Sequence, residues 1–414
     1  MKFAIIIPDG CSDEPQSTLD GRTPLEVANI PAVDEIAKRG FVGRTNFVPA
    51  AFDPGSAVAN MSLLGYDPNV FYSGRAPIEA VAQNVSLGPN DWAVRCNLVS
   101  VEGGIMKSFT AGQYPSDLAK ELLAELQHEL QRSNLAQEFE VEFIPGVSYR
   151  NMLICRGNQP DSIPFDSHTR TVPPHDLTDQ SIQNGLPTGS GSEWLRKVME
   201  ASRKIFANHS ANQKRSKLGQ TAATDVWLWG LGKTPKLGDF QERFGKRGAM
   251  ITAVDLLRGL AKLVGWSVLE VPGATGYLDT NYAGKGQAAV DALEAHDIVI
   301  VHVEATDEAS HEGDAQAKIE ALESIDQHII GPLLGFLQKQ SAWRILVTPD
   351  HPTFLRTKTH SRGYVPVATC GTGLLSDDST AYSENSAQRS NQVIENGHEL
   401  MPRFLNPEST SFIE

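Results

Sequence analysis

The sequence predicts an α/β protein: a mainly parallel sheet flanked by helices, with a smaller α+β unit inserted into it. Three observations carry this reading. First, short runs rich in Ile and Val recur between helical segments, at 3–8, 298–303 and 344–349. Runs apolar throughout and bounded by Pro or Gly read as strands buried on both faces, which is how parallel strands look. Second, each run leads into an aspartate: Asp9, Asp307 and Asp350. Third, the alternation lapses in the middle of the chain and returns after it.

The elements follow in order. After the first strand, Thr23-Pro24-Leu25-Glu26 opens a helix, with Thr23 as N-cap, Pro24 at the first helical position and Glu26 completing a capping box. A helix over 32–38 and a strand over 41–48 come next. Asp53-Pro54-Gly55-Ser56 then leads into a helix over 57–64. Residues 116–131 form an amphipathic helix, with Leu118, Leu122, Leu123, Leu126 and Leu130 on one face. Short strands at 141–144 and 152–155 precede a loop-like stretch over 158–191. The inserted unit is therefore drawn at 91–190, and the core at 1–90 with 191–414. In the core, 225–231 and 266–271 read as strands and 252–264 as a helix. A long helix over 316–339 is broken at Gly331-Pro332, and 377–391 is an exposed loop.

Composition narrows the function. A formal net charge of −14 disfavours nucleic acid as a partner. No apolar stretch approaches the roughly 20 residues of a membrane span. Four scattered cysteines without a CxxC pair fit free thiols in a reducing compartment, and the expectation is a cytoplasmic protein. Oligomeric state is left open, with a homo-oligomer compatible. Gly230-Leu231-Gly232-Lys233-Thr234 resembles the end of a phosphate loop, but Trp227 stands where its first glycine belongs.

A lone Asp after a strand is an ordinary turn residue. Three such strands, two of them with histidines close behind (His311, His351 and His360), form a joint pattern. In an open α/β sheet the carboxyl ends of the strands meet at one edge, where ligands sit. Carboxylate oxygens with neutral imidazoles suit Mn, Mg, Co or Zn. Ser56, at a helix start, is then a candidate nucleophile, since a seryl hydroxyl needs a base or a metal to ionise it.

Several stretches carry a resemblance: Asp9-Gly10, Gly21-Arg22-Thr23-Pro24-Leu25-Glu26-Val27-Ala28, Pro54-Gly55-Ser56, Leu64-Gly65-Tyr66-Asp67-Pro68, Gly74-Arg75-Ala76-Pro77-Ile78-Glu79-Ala80, Arg95-Cys96-Asn97-Leu98-Val99, Tyr149-Arg150, Pro174-His175-Asp176, Pro272-Gly273-Ala274-Thr275-Gly276 and Asp350-His351. Together they resemble the archaeal-type cofactor-independent phosphoglycerate mutases of the alkaline phosphatase superfamily. The resemblance implies two divalent ions, one on Asp9, Ser56, Asp350 and His351, the other on Asp307, His311 and His360. It implies a phosphoserine at Ser56, exchange of 3- and 2-phosphoglycerate, and no need for 2,3-bisphosphoglycerate. Arg75, Arg95 and Arg150 would bind the anionic groups of this small-molecule substrate, with Lys233, His175 and Asp176 assisting. The inserted unit would serve as a lid. The alternative is a sibling phosphotransferase, either homoserine kinase-like or a phosphomonoesterase. Two departures stand out: Ala57 follows the serine where the family often has an acidic residue, and Pro349 and Pro352 flank the Asp350-His351 pair in place of the usual glycine and serine.

Overall fold

The computed structural model describes residues 1–133, 135 and 139–412. The chain divides into two compact units, Met1–Tyr72 with Lys236–Glu414, and Ser73–Pro235.

The first unit is built on an eight-stranded sheet. Its strand order is Val393–Ile394, Phe41–Thr45, Val365–Gly371, Trp343–Val347, Lys2–Pro8, Ile298–Val303, Gly248–Ile251 and Ser267–Val268. Val365–Gly371 pairs antiparallel with both its neighbours, and the remaining pairings are parallel. Phe3 through Pro8 are all buried because helices cover both sheet faces. The helices Pro31–Arg39, Tyr282–Ala295, Ala315–Ile325 and Gly331–Leu337 cover the face that carries Ala4 and Ile6, with Ile36, Leu293, Leu322 and Leu337 in that core, and on the other face Phe404 of the helix Leu400–Leu405 packs edge-on against Phe3. Since the strands carrying Asp9, Asp307 and Asp350 are parallel neighbours, their carboxyl ends share one edge.

Local expectations fared unevenly in this unit. The Thr23–Glu26 capping box forms as expected. The long helix is not broken at Pro332: it widens into a π turn at Asp326–Ile330, with Gly331 N bonded to Asp326 O, and continues. The wider turn accommodates a proline that lacks an N–H. The strand expected over 266–271 shrinks to Ser267–Val268 at the sheet edge. The stretch 377–391 is not all exposed loop. Tyr382 is buried with its hydroxyl on Pro366 O, and Ser383 caps the helix Glu384–Arg389.

The second unit holds an antiparallel sheet centred on Trp92–Glu102. That strand pairs with Ile105–Ser108, Arg150–Arg156 and Asp225–Gly232, and Glu140–Ile144 completes the sheet beyond Arg150–Arg156. The amphipathic helix spans Ser116–Arg132 and packs with Ser192–Asn208 over one shared core. The unit is larger than 91–190, running over Ser73–Pro235. The strand at Asp225–Gly232 belongs here, where Cys96 faces Leu228, and not to the parallel sheet. An apolar run announces a strand but not its partner, because pairing is fixed by residues far away in sequence.

Candidate active site

The sheet edge of the first unit gathers all seven expected ligand and nucleophile positions. Asp9 follows Lys2–Pro8 directly, and Asp350-His351 follows Trp343–Val347. Asp307 and His311 lie one turn apart on the helix Ala305–Glu312, and His360 ends a two-residue strand paired with Thr353–Phe354. Ser56 opens the buried helix Ser56–Leu63. Two compact triples of ligand atoms result, Asp9–Asp350–His351 and Asp307–His351–His360, each with its atoms within 4.8 Å of one another. His351 serves both triples. His311 joins through its Nε2, 3.0 Å from Asp307 Oδ2 and 3.2 Å from His360 Nε2.

Around His351 the donors converge. Its Nε2 lies 3.2 Å from Ser56 Oγ and 3.5 Å from both Asp9 Oδ1 and Asp350 Oδ2. A supporting layer fixes the carboxylates. Asn60 Nδ2 donates to Asp350 Oδ2 at 2.7 Å, Thr353 Oγ1 to Asp307 Oδ1 at 2.5 Å, and His302 Nε2 lies 2.9 Å from Asp9 Oδ2. Gly10, at φ 59°, leaves no room for a Cβ, which would strike Asp307 Oδ1 and Thr353 Oγ1.

The electrostatics of this edge are unbalanced. Burial and the charges of Asp350 and Asp307 hold the Asp9 carboxyl well above its ordinary range. Burial opposes charge on His311, but the hydrogen bond and charge of Asp307 outweigh it and push the imidazole up to about 9. Burial lowers His302 to about 4, keeping it neutral. Asp9 Oδ1 is buried and accepts no hydrogen bond among the described residues. This donor set fits divalent cations: crowded carboxylates repel, His311 beside Asp307 is held toward its charged form, and a buried Asp9 oxygen lies within ligand spacing of Asp350 and His351 without a hydrogen bond among the described residues. The residues that would hold such ions are Asp9, Ser56, Asp307, His311, Asp350, His351 and His360.

The second unit carries the candidate cations. Arg95 and Asn97 project from one face of Trp92–Glu102, with Trp229 paired to Arg95 and Arg150 to Asn97. Arg95 Nε lies 3.0 Å from Glu79 Oε2, and Arg75 Nε 2.7 Å from Glu79 Oε1. Arg95 also stacks its guanidinium 4.2 Å over Trp229, and Arg150 donates to the Tyr149 hydroxyl at 3.0 Å. Burial pushes the Glu79 carboxyl up, but Arg95, Arg75 and Arg150 together hold it below its usual 4.5. His175 packs edge-on to Trp229, 5.6 Å away, and lies 3.6 Å from the exposed Asp176. Lys233 stands over the Trp92 ring at 5.6 Å.

Comparison with known proteins gives this geometry a family. A family model described as 2,3-bisphosphoglycerate-independent phosphoglycerate mutase matches residues 37–212. A Methanosarcina mazei relative named 2,3-bisphosphoglycerate-independent phosphoglycerate mutase is 43% identical over 403 residues, covering 97% of this chain and 98% of its own. The chain belongs to the 2,3-bisphosphoglycerate-independent phosphoglycerate mutase family. A second relative, phosphoglycerate mutase 2 of the same type from Methanothermobacter thermautotrophicus, is 42% identical over 408 residues and covers 98% of each chain. Among solved structures, a Pyrococcus horikoshii protein superposes with a TM-score of 0.79 at 25% identity, covering 98% of this chain and 97% of its own. A cofactor-independent phosphoglycerate mutase from Thermoplasma acidophilum superposes at 0.65 and 25% identity, covering 99% and 100%. The mutase family is thus reached both from the motifs and from whole-chain similarity, and the chain is an enzyme. No helix among the described residues is long and apolar enough to cross a membrane.

Sequence reasoning overlooked four residues that hydrogen-bond to or pair with the candidate side chains within their own units. His302, Asn60, Thr353 and Glu79 all carried a readable signal. His302 is a histidine within an otherwise apolar strand, and Asn60 a buried amide one helical turn after Ser56. Thr353 lies two residues past His351, and Glu79 one turn after Arg75.

Proposed function

We propose that this chain interconverts 3-phosphoglycerate and 2-phosphoglycerate through a phosphoserine at Ser56, without 2,3-bisphosphoglycerate. The observation that carries the reading is the position of Ser56 Oγ, 3.2 Å from His351 Nε2 and inside a set of carboxylate and imidazole donors. Family membership points the same way and does not favour the kinase-like or phosphatase alternative. Divalent ions, Mn, Mg, Co or Zn, would supply charge neutralisation and an ionised serine oxygen there. Ser56 Oγ attacks phosphorus, the bond from phosphorus to the substrate's C3 oxygen breaks, and that oxygen takes up a proton. The free glycerate turns, and its C2 hydroxyl attacks the phosphoserine, loses its proton and releases Ser56. Phosphoryl transfer of this kind is chiefly positioning and charge stabilisation.

Arg75, Arg95 and Arg150 are assigned to the substrate's carboxylate and phosphate, since guanidinium forks match both groups. Lys233, His175 and Asp176 are assigned to its remaining polar groups. Free glycerate must be kept from escaping and water kept from the phosphoserine, and we assign that task to the Ser73–Pro235 unit. The test is an enolase-coupled assay for 2-phosphoglycerate with released phosphate measured in parallel. The expected result is 2-phosphoglycerate with little free phosphate, and no turnover in Ser56→Ala. Free phosphate without 2-phosphoglycerate, or full activity in Ser56→Ala, overturns the proposal.

A further inference from the structure

Thr353 occupies a position that no ligand set includes, yet it touches both. It follows His351 by two residues and sits directly opposite His360 in the two-stranded ribbon. Its hydroxyl donates to Asp307 Oδ1 at 2.5 Å, and the same oxygen lies 3.2 Å from His351 Nδ1. Both contacts are fully buried, with Thr353 0% exposed. The backbone around it is pinned as firmly. Thr353 N donates to Ser12 O at 3.2 Å. Thr353 O accepts from Lys318 Nζ at 2.9 Å, and that ammonium is held at 2.7 Å by Asp13, both side chains being fully buried. Removing either partner of such a buried pair would leave an uncompensated charge.

The proton count follows from the chemistry of each group. A hydroxyl has one hydrogen, and an ionised carboxylate can only accept. The Thr353 hydrogen therefore points to Asp307, and what remains for His351 is a lone pair. His351 must then present N–H at Nδ1, which leaves the lone pair of a neutral ring at Nε2. Nε2 is the atom that faces Ser56 Oγ, Asp9 Oδ1 and Asp350 Oδ2. We propose that Thr353 is a positioning residue that locks His351 in the Nδ1–H tautomer and ties the two ligand groups together through one hydroxyl. The inference rests on the cation-binding reading given above and adds a residue to it. Partners that orient a ligating histidine in this way typically govern metal affinity.

The test compares Thr353→Val, which keeps shape and removes the hydroxyl, with Thr353→Ser, which keeps the hydroxyl. Two readouts need no substrate: the imidazole 15N shifts of His351 in chelator-stripped protein, assigned through His351→Gln, and Mn2+ binding by calorimetry. Wild-type protein is expected to show Nδ1–H. Thr353→Val is expected to mix the tautomers, weaken Mn2+ binding about ten- to a hundredfold and lower kcat with KM unchanged, while Thr353→Ser retains all three properties. An Nε2–H tautomer in the wild type overturns the proposal even if the valine variant fails to fold. So does unchanged Mn2+ affinity in Thr353→Val, or a serine variant as impaired as the valine one. Because tautomer and affinity are read without phosphoglycerate, a failure here is distinct from a failure to make 2-phosphoglycerate.

Discussion

At the carboxyl edge of the parallel sheet Asp9, Asp307 and Asp350 crowd into buried space, whereas in the Ser73–Pro235 unit Arg75, Arg95 and Arg150 gather round one carboxylate, Glu79. The two arrangements strain in opposite directions. Carboxylates near each other raise Asp9 above its ordinary range, and cations near Glu79 lower it below its own. The occupants proposed for them differ in the same way: divalent cations at the first, the anionic groups of the substrate at the second. What differs is the way each is held. The acidic edge is braced by neutral groups, Asn60, Thr353 and His302, whose hydrogen bonds do not cancel the charge. The arginines are braced by an ionised partner and aromatic faces.

This contrast can be broken experimentally, most severely at the acidic edge. Asp9→Asn should lower turnover by about a hundredfold or more, the cost of losing a ligand or its support. It should not lower the melting temperature of metal-free protein, because it removes repulsion. A clear loss of metal-free stability would show that the cluster is balanced internally. Next in size, Glu79→Ala should cost about 3 kcal/mol in stability by leaving Arg95 buried without its counter-ion, measured by urea unfolding. An unchanged midpoint would mean that solvent already screens the arginines.

A third effect is linkage. Mn2+ at a hundred times its dissociation constant should raise unfolding free energy by about 2.7 kcal/mol, and a chelator should reverse it. No shift would remove the cation reading of the edge.

The pH dependences should have opposite signs and be smaller. The folded Glu79 carboxyl lies below 4.5, so it contributes stability above that pH and loses it as pH falls through the folded value. Glu79→Gln should therefore flatten the acid limb of the stability profile. The folded Asp9 carboxyl lies above 3.8, so the folded state binds more protons there. Metal-free protein should accordingly lose stability as pH rises from about 4 toward neutral, and Mn2+ should erase that limb. A profile that responds the same way to both changes would dissolve the distinction between the units. Smallest of all, Arg75→Ala should raise KM less than Arg95→Ala, since the Arg75 side chain is 35% exposed and that of Arg95 11%.

Much of this was legible along the chain. Buried parallel strands announce themselves as unbroken Ile and Val runs, and the motifs around Asp9, Ser56 and Asp350-His351 carried the family with them. The capping box at Thr23 was readable because both partners lie within one turn. The failures share a cause. Asp225–Gly232 was assigned to the wrong sheet, and the inserted unit was drawn too short, because strand pairing is decided by contacts distant in sequence.

The sequence by itself determined which residue types are candidates for the chemistry, that the Ile/Val strands are buried and which face of the helix at 116–131 is apolar, since periodicity and side-chain acidity are local properties. Only the tertiary structure decided that His351 faces both ligand groups, that Thr353 stands between Asp307 and His351, and that Glu79 is shared by two arginines. Those are distances between groups set by the register of strands and the packing of helices, and no stretch of chain short enough to read as a motif contains both ends of them.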